Sequence, residues 1–368
     1  MSSRSSTSAP GRTDPGTARA SNPPASATVF VGDNLEWLHN LAGRGLDDIA
    51  LCYLDPPYNT GSDFDHYNDN IDSVSWFENL RDRLEALRPL MRPTGSVWLQ
   101  LDDREQHNGR RALESVFGVD AFVATIIWQK RTTRDSRRAF SSAHEYIHVF
   151  SPAGAKAWRR VRNGDVNNVV LRNPDNDPRG PWRSVPLTAQ AGNSVASQHY
   201  EVLSPSGDLL APPRGRCWTY TEEKFAELVR QGRVYWPRAG AGRPRLKMYG
   251  DQVADLAPST LWLAEEVGDT TEAKRSLLDL PSASPIFDTP KPVRLMERII
   301  RIATNPGDVV LDPYFGSGTT ALVSNLHGVD CIGIEQSDRT VSEVTLPRLR
   351  ASGIEPAVER REVRRLAV

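Results

Sequence analysis

Cysteine is scarce in this chain: three residues in 368, far apart at positions 52, 217 and 331. That spacing suits neither a disulfide framework nor a metal-ligand cluster, so no metal is expected. Cys52 and Cys331 fall inside apolar runs, where cysteine acts as a small apolar residue. Long apolar runs are also lacking. No stretch approaches the roughly 18–20 apolar residues that span a bilayer, so a membrane is not expected as partner and a cytoplasmic location is. An excess of charge of one sign is missing too. Lysine plus arginine number 45 against 46 aspartate plus glutamate, a net charge of −1. Global charge therefore gives no sign of a polyanionic partner. The first 27 residues are rich in Ser, Pro, Ala, Gly and Thr and have no apolar core, so they read as a disordered tail rather than an export signal. What remains is ordinary for a globular protein, with 39% apolar and 25% charged residues, enough for one large core or two domains.

Two turn motifs stand out against this background. The apolar run Ile49-Ala50-Leu51-Cys52-Tyr53-Leu54 reads as a buried strand and is followed by Asp55-Pro56-Pro57-Tyr58. Two prolines stop the strand and stiffen the turn, because each fixes φ and lacks an N–H donor. A carboxylate and an aromatic ring are thus held at a strand's C-terminal end, the edge where open α/β sheets bind ligands. An acceptor beside a flat ring suits a planar substrate with an exocyclic amine, such as a nucleobase.

The second motif runs from Val309 to Thr320: a strand ending at Asp312, then Pro313-Tyr314-Phe315-Gly316-Ser317-Gly318, then a helix start at Thr319. Its glycines allow close backbone approach to a ligand, and the helix start offers free N–H groups. The next strand ends in Glu335, an acidic residue about 20 positions beyond the turn and placed to take ribose hydroxyls. The loop has no lysine of the triphosphate-binding kind, which disfavours a nucleoside triphosphate.

Around these motifs the pattern alternates. Strands are expected at Thr28–Val31, Ile49–Leu54, Ser96–Leu101, Ala121–Gln129, Glu145–Phe150, Val309–Leu311 and Asp330–Ile334. Helices are expected after Ser73 (as N-cap) with an apolar stripe to Leu90, from about Asp103 to Phe117, over Val293–Ala303 and over Thr319–Leu326. Seven strands with alternating helices make a doubly wound α/β sheet. Residues 152–286 break the pattern with recurrent Pro, Gly, Arg and Trp, and only Thr221–Gln231 there reads as a clear helix.

Together the two motifs resemble amino-group DNA methyltransferases that use S-adenosylmethionine. The base motif precedes the cofactor motif, which resembles the permuted β-class. Thr94 to Gln106, Ile126 to Lys130, Thr271 to Lys274 and Phe287 to Pro292 are similar to segments of type III modification subunits, which are N6-adenine methyltransferases. Such subunits tend to be much longer than this chain. The resemblance implies a permuted Rossmann-like seven-stranded sheet with an inserted target-recognition domain: tail 1–27, catalytic half 28–151, insertion 152–286 and cofactor half 287–368. It implies that Asp55, Pro56, Pro57 and Tyr58 hold the flipped target base. It implies cofactor contacts from Asp33, Lys291, Asp312, Tyr314, Gly316, Gly318, Thr319 and Glu335. Asp33 also reads, without the resemblance, as a helix-capping residue in a Gly-Asp turn, and both roles are compatible. Related enzymes usually follow the first aromatic with a small residue; here that position is Phe315.

The expected partner is double-stranded DNA. Lys130, Arg131, Arg134, Arg137 and Arg138 crowd one stretch opposed only by Asp135, a composition that suits phosphate contact. A second basic group, Arg233 to Lys247, has Tyr235 and Trp236 interleaved, which suits stacking as well. The permuted group also allows a homodimer, and the type III likeness a restriction subunit, although no interface or helicase motif is visible. Asp at the start of the tetrapeptide favours adenine N6 over cytosine N4. A catalytically silent DNA-binding subunit and an RNA methyltransferase are the other readings. Intact Asp55, Tyr58, Asp312 and Glu335 argue against the first, and the large insertion weighs toward duplex DNA.

Overall fold

The computed structural model describes residues 25–59, 72–134, 136, 139–158, 160, 171–249, 257–278 and 290–360. The tail expected over residues 1–27 lies almost wholly outside them. In chain order, β1 (Ala27–Val31) leads through α1 (Asn34–Gly43) to β2 (Ile49–Leu54). Then come α2 (Ser73–Leu87), β3 (Met91–Leu101), α3 (Gln106–Phe117), β4 (Phe122–Gln129) and β5 (His144–Phe150). Short strands follow: β6 (Trp182–Pro186), β7 (Thr188–Gln190), β8 (Val202–Leu203), β9 (Leu209–Leu210) and β10 (Arg216–Trp218). After α4 (Glu222–Arg230) come β11 (Val234–Tyr235) and β12 (Arg245–Tyr249). The chain then adds β13 (Leu261–Trp262), α5 (Thr270–Leu278), α6 (Val293–Ala303), β14 (Val309–Asp312), α7 (Thr319–Leu326), β15 (Asp330–Glu335), α8 (Leu346–Ala351) and β16 (Ala357–Arg360).

The seven apolar runs all become strands of one mixed sheet, ordered β13-β4-β5-β3-β2-β14-β15-β1-β16. Only β5 runs against its neighbours, β4 and β3. The two edge strands, β13 and β16, escaped the sequence pattern because two and four residues carry too little periodicity. The first strand lies beside the acidic one: β1 pairs with β15 in parallel, Thr28 opposite Ile332, and the Gly32 N–H donates to the Glu335 carbonyl at 3.0 Å. The permutation read from motif order is therefore physical, because the two halves of the chain close on each other at this pair.

Successive side chains of β2 go to opposite layers, as strand geometry demands. Cys52 and Leu54 join the core made with Trp37, Leu38, Trp76, Leu84 and Leu113 of α1, α2 and α3. Leu51 and Tyr53 join the opposite core with Leu295 and Ile299 of α6. Buried on both faces, β2 reads as continuous apolar sequence, typical of a central parallel strand.

Most boundaries that differ from the sequence reading do so by a single residue, and three differences are instructive. The α2 cap is Asp72, not Ser73: its carboxylate accepts the Val74 and Ser75 N–H groups at 3.1 and 3.0 Å. The third strand starts at Met91, not Ser96, and carries Pro93 inside it. That proline is tolerated because the pairing with β2 shifts register between Ile49 and Leu51, leaving residues without a ladder partner. The third helix starts at Gln106, after a turn at Asp103–Glu105.

Residues 171–249 build a separate small apolar cluster. Leu187, Trp218, Phe225, Leu228 and Val234 pack together there, beside the three-stranded sheet β11-β12-β6. The helix expected at Thr221–Gln231 is α4, and the rest of this region carries strands too short to read from periodicity. Among the described residues, no helix is long and apolar enough to cross a membrane.

Candidate active site

β2 and β14 are adjacent and parallel, so both turn motifs open on the same edge of the sheet. Asp55 leaves the end of β2, and Asp312 is the last residue of β14. Tandem prolines prevent the chain after Asp55 from continuing the ladder. The turn is then pinned at its far side: the Trp76 indole N–H on α2 donates to the Pro57 carbonyl at 2.8 Å. Among the described residues, the Pro56 carbonyl receives no hydrogen bond. Asn59 follows with φ 56°, a left-handed conformation asparagine tolerates, and its amide donates to Glu105 Oε1 at 3.0 Å. Glu105, fully buried, also accepts from Ser73 and Asn108 at 2.9 and 2.7 Å, and Arg104 donates to the Asn59 carbonyl.

The Asp55 carboxylate is largely buried and has two partners. Tyr58 donates its hydroxyl to Oδ1 at 2.6 Å, and Lys291 donates its ammonium to Oδ2 at 2.5 Å. The same ammonium sits 5.5 Å from the Tyr58 ring centroid. Burial raises the Asp55 carboxyl above its ordinary range, an effect that Lys291 only partly offsets. Burial pulls Lys291 down, but Asp55 and Glu145 outweigh it and keep the ammonium charged.

A second carboxylate, Glu145 on β5, completes this pocket. It is buried, and it accepts from Gln100 at 2.5 Å, from Lys130 at 2.9 Å and from the Tyr58 hydroxyl at 3.1 Å. Gln100 accepts in turn from the Tyr53 hydroxyl at 2.5 Å. Burial would raise Glu145, but Lys291 and Lys130 hold it below its ordinary value. Sequence reasoning missed Glu145, Gln100 and Tyr53. The signal it passed over was polar residues inside apolar strands: a buried glutamine or glutamate there needs hydrogen-bond partners.

The glycine turn is arranged differently. Asp312, 2% exposed, accepts from the Tyr314 N–H at 3.0 Å and from the Thr320 hydroxyl at 2.5 Å. Among the described residues, no lysine or arginine pairs with it. Burial pushes its carboxyl up to about 7. Gly316 and Gly318 take left-handed φ of 50° and 78°, which glycine adopts without a Cβ penalty. Glu335 accepts the Gly316 N–H at 2.8 Å and the Ser337 N–H at 3.0 Å, tying the acidic strand end to the turn. The Thr319 hydroxyl accepts from buried Arg348 on α8 at 2.8 Å. The bulky Phe315 has a local compensation: a Cβ on Gly333 of β15 would lie 2.4 Å from the ring, so the neighbouring strand leaves out a side chain to seat it.

Asp33 caps α1, accepting the Glu36 N–H at 3.1 Å, and pairs with Arg83 at 3.2 Å. The turn reading of Asp33 is thereby accounted for. Tyr314 packs against the same core as Tyr58. The basic stretch is split. Lys130 turns inward to Glu145, Arg131 and Arg134 are exposed, and Arg137 and Arg138 lie outside the described residues.

A doubly wound sheet thus carries the Asp55-Pro56-Pro57-Tyr58 turn and a glycine turn on neighbouring parallel strands, at the edge where open α/β sheets bind ligands. A family model described as DNA methylase matches residues 49–345, and the chain belongs to this family. The Mod subunit of the type III restriction-modification enzyme StyLTI from Salmonella typhimurium is 30% identical over 334 residues, covering 82% of this chain and 50% of that protein. The type II methyltransferase M.EcaI of Enterobacter cloacae is 28% identical over 315 residues, covering 83% and 65%. M.KpnI of Klebsiella pneumoniae, also a type II methyltransferase, is 27% identical over 327 residues, covering 80% and 76%. The chain thus spans about half the length of the StyLTI subunit and about two thirds of M.EcaI.

Proposed function

We propose that this chain transfers a methyl group from S-adenosylmethionine to the N6 amine of an adenine flipped out of duplex DNA. The observation that carries the reading is the adjacency of two unlike carboxylate turns: Asp55 with Tyr58 at the end of β2, and Asp312 with its glycines at the end of β14. The cofactor supplies an electrophilic methyl on a sulfonium. The donor set fits it. Asp312 is a buried carboxylate with neutral donors and, among the described residues, no paired cation, a seat for the methionine ammonium. Gly316 and Gly318 allow close approach, while Glu335, Asp33, Tyr314, Thr319 and Lys291 border the same edge.

The protein's own part follows from the chemistry of an aromatic amine. Its lone pair is delocalised into the ring and is a poor nucleophile. Tyr58 offers a ring for stacking at small entropic cost. Asp55 accepts one amine hydrogen and the Pro56 carbonyl the other, drawing the nitrogen toward tetrahedral geometry and freeing its lone pair. Positive charge grows on that nitrogen as the N–C bond forms and the C–S bond breaks. A fixed carboxylate stabilises this state more than the ground state. The amine proton then passes to Asp55.

Exposed Arg131 and Arg134 serve as phosphate contacts, Arg137 and Arg138 extending the same basic stretch, whereas Lys130 supports the pocket from within. Residues 152–286 form the target-recognition insertion in this reading. We extend the reading to a second copy of the chain and a restriction subunit as partners in the cytoplasm, on the strength of the Mod-subunit relatives. The deciding experiment is single-molecule sequencing of DNA from cells expressing the chain or its Asp55→Ala variant. N6-methyladenine at one short motif, absent with the variant, is the expected result. N4-methylcytosine would transfer the mechanism to the other base. Absence of any modified base with the wild-type chain would overturn the reading.

A further inference from the structure

The catalytic turn does not end at Asp55 and Tyr58. The Tyr58 hydroxyl has one hydrogen and faces two carboxylates, Asp55 Oδ1 at 2.6 Å and Glu145 Oε2 at 3.1 Å. Glu145 cannot swing away, because Gln100 and Lys130 hold its two oxygens at 2.5 and 2.9 Å, and Tyr53 holds Gln100. Glu145, Gln100 and Tyr53 lie in strands β5, β3 and β2, and Lys130 and Asp55 directly follow β4 and β2, while Tyr58 stands on the turn after β2. We propose that Glu145 is a positioning residue for methyl transfer, fixing the Tyr58 hydroxyl against Asp55 so that ring and carboxylate meet the target amine as one rigid unit.

The physical reason lies in geometry. A phenol ring rotates about two bonds, and a single hydroxyl contact leaves it free to roll about the line through that contact. A second acceptor on another strand removes that freedom, and reactions that depend on alignment lose rate steeply with small misplacements. Glu145 also acts on charge. The groups facing Asp55 are Lys291 just before α6, Tyr58 from its own turn, Tyr53 from β2, Glu145 from β5 and Asp312 from β14. Of these, Lys291 favours the ionised form of Asp55, while Glu145 opposes it.

The inference rests on the transfer reading above, and one set of kinetics separates them. Single-turnover methylation of a DNA duplex containing the site found by sequencing is measured for wild type, Glu145→Gln, Tyr58→Phe and the double variant. The pH is chosen on the plateau of every variant. Glu145→Gln is expected to lower the transfer rate about tenfold with little change in KM for DNA. The same change in the Tyr58→Phe background is expected to cost nothing further, because the hydroxyl it acts through is gone. The acid limb of kcat/KM is expected to move to lower pH in Glu145→Gln, a shift that loss of packing would not produce. Glu145→Asp, which keeps the charge but withdraws it from Tyr58, is expected to lose rate with the acid limb in place, and it replaces the Gln variant if that one fails to fold. Equal cost of the Glu145 change in both tyrosine backgrounds, or no cost in either, would overturn the proposal alone. An inactive wild type would strike the transfer reading itself.

Discussion

Asp55 and Asp312 occupy equivalent places, each closing one of two neighbouring parallel strands, yet their surroundings are opposite. Asp55 has a lysine on one oxygen and a tyrosine on the other. Among the described residues, Asp312 has only neutral donors, a backbone N–H and a threonine hydroxyl. Burial of a carboxylate that no cation contacts directly is costly, and the Asp312 carboxyl rises to about 7 in consequence. The difference teaches what each turn is built to receive. In the proposed function, the Asp312 turn receives a cation supplied by a ligand. The Asp55 turn carries its own cation and, in the proposed function, receives a neutral amine whose charge appears only as the reaction proceeds.

The comparison breaks most visibly by removing each charge in turn. Asp55→Asn is expected to lower the methyl-transfer rate about 10³-fold while leaving cofactor binding within a factor of about two, as loss of a fixed carboxylate aimed at developing positive charge should. Asp312→Asn is expected to do the reverse in binding, weakening the cofactor by about 2 kcal/mol measured by calorimetry. A result in which both variants lose only binding, or only rate, would erase the distinction.

pH sharpens it. In the proposed function the cofactor ammonium takes the ionised form of Asp312, and protonation competes below a pKa of about 7. Cofactor affinity is therefore expected to fall about tenfold per pH unit on the acid side of neutrality, and Asp312→Asn to flatten that slope. For Asp55, Lys291 favours the ionised carboxylate against burial. Lys291→Met is expected to move the acid limb of kcat/KM upward, opposite in sign to Glu145→Gln. An unmoved limb would mean that Lys291 has no hold on Asp55 in the working enzyme.

The smallest expected effect concerns the seat of Phe315. Gly333→Ala would place a methyl 2.4 Å from the ring and is expected to cost about 1–3 kcal/mol of stability by denaturant unfolding. Phe315→Ala in the same chain should recover part of it.

Much of this molecule was legible before its fold was known. All seven apolar runs are strands, and α6 and α7 begin and end where their apolar periods do. These are short-range matters: strand alternation, proline stops, glycine turns and caps are decided by residues within a few positions of each other. The misses follow the same logic. Asp72 rather than Ser73 caps α2 because two adjacent residues could both do so. The short strands of residues 171–249 and the edges β13 and β16 lack the length for a period to show.

What the local sequence determined, then, is the pair of turns and the strands that carry them. What only the tertiary structure decided is the company each carboxylate keeps. Lys291 reaches Asp55 across 236 positions, and Glu145 reaches Tyr58 across 87. Lys130, grouped by composition with the solvated arginines, becomes an internal partner of Glu145 because β4 and β5 run antiparallel and bring the two together. Buried charges must find partners, but the sequence does not say which. That is settled when the sheet assembles and low-dielectric surroundings make each unpaired group costly.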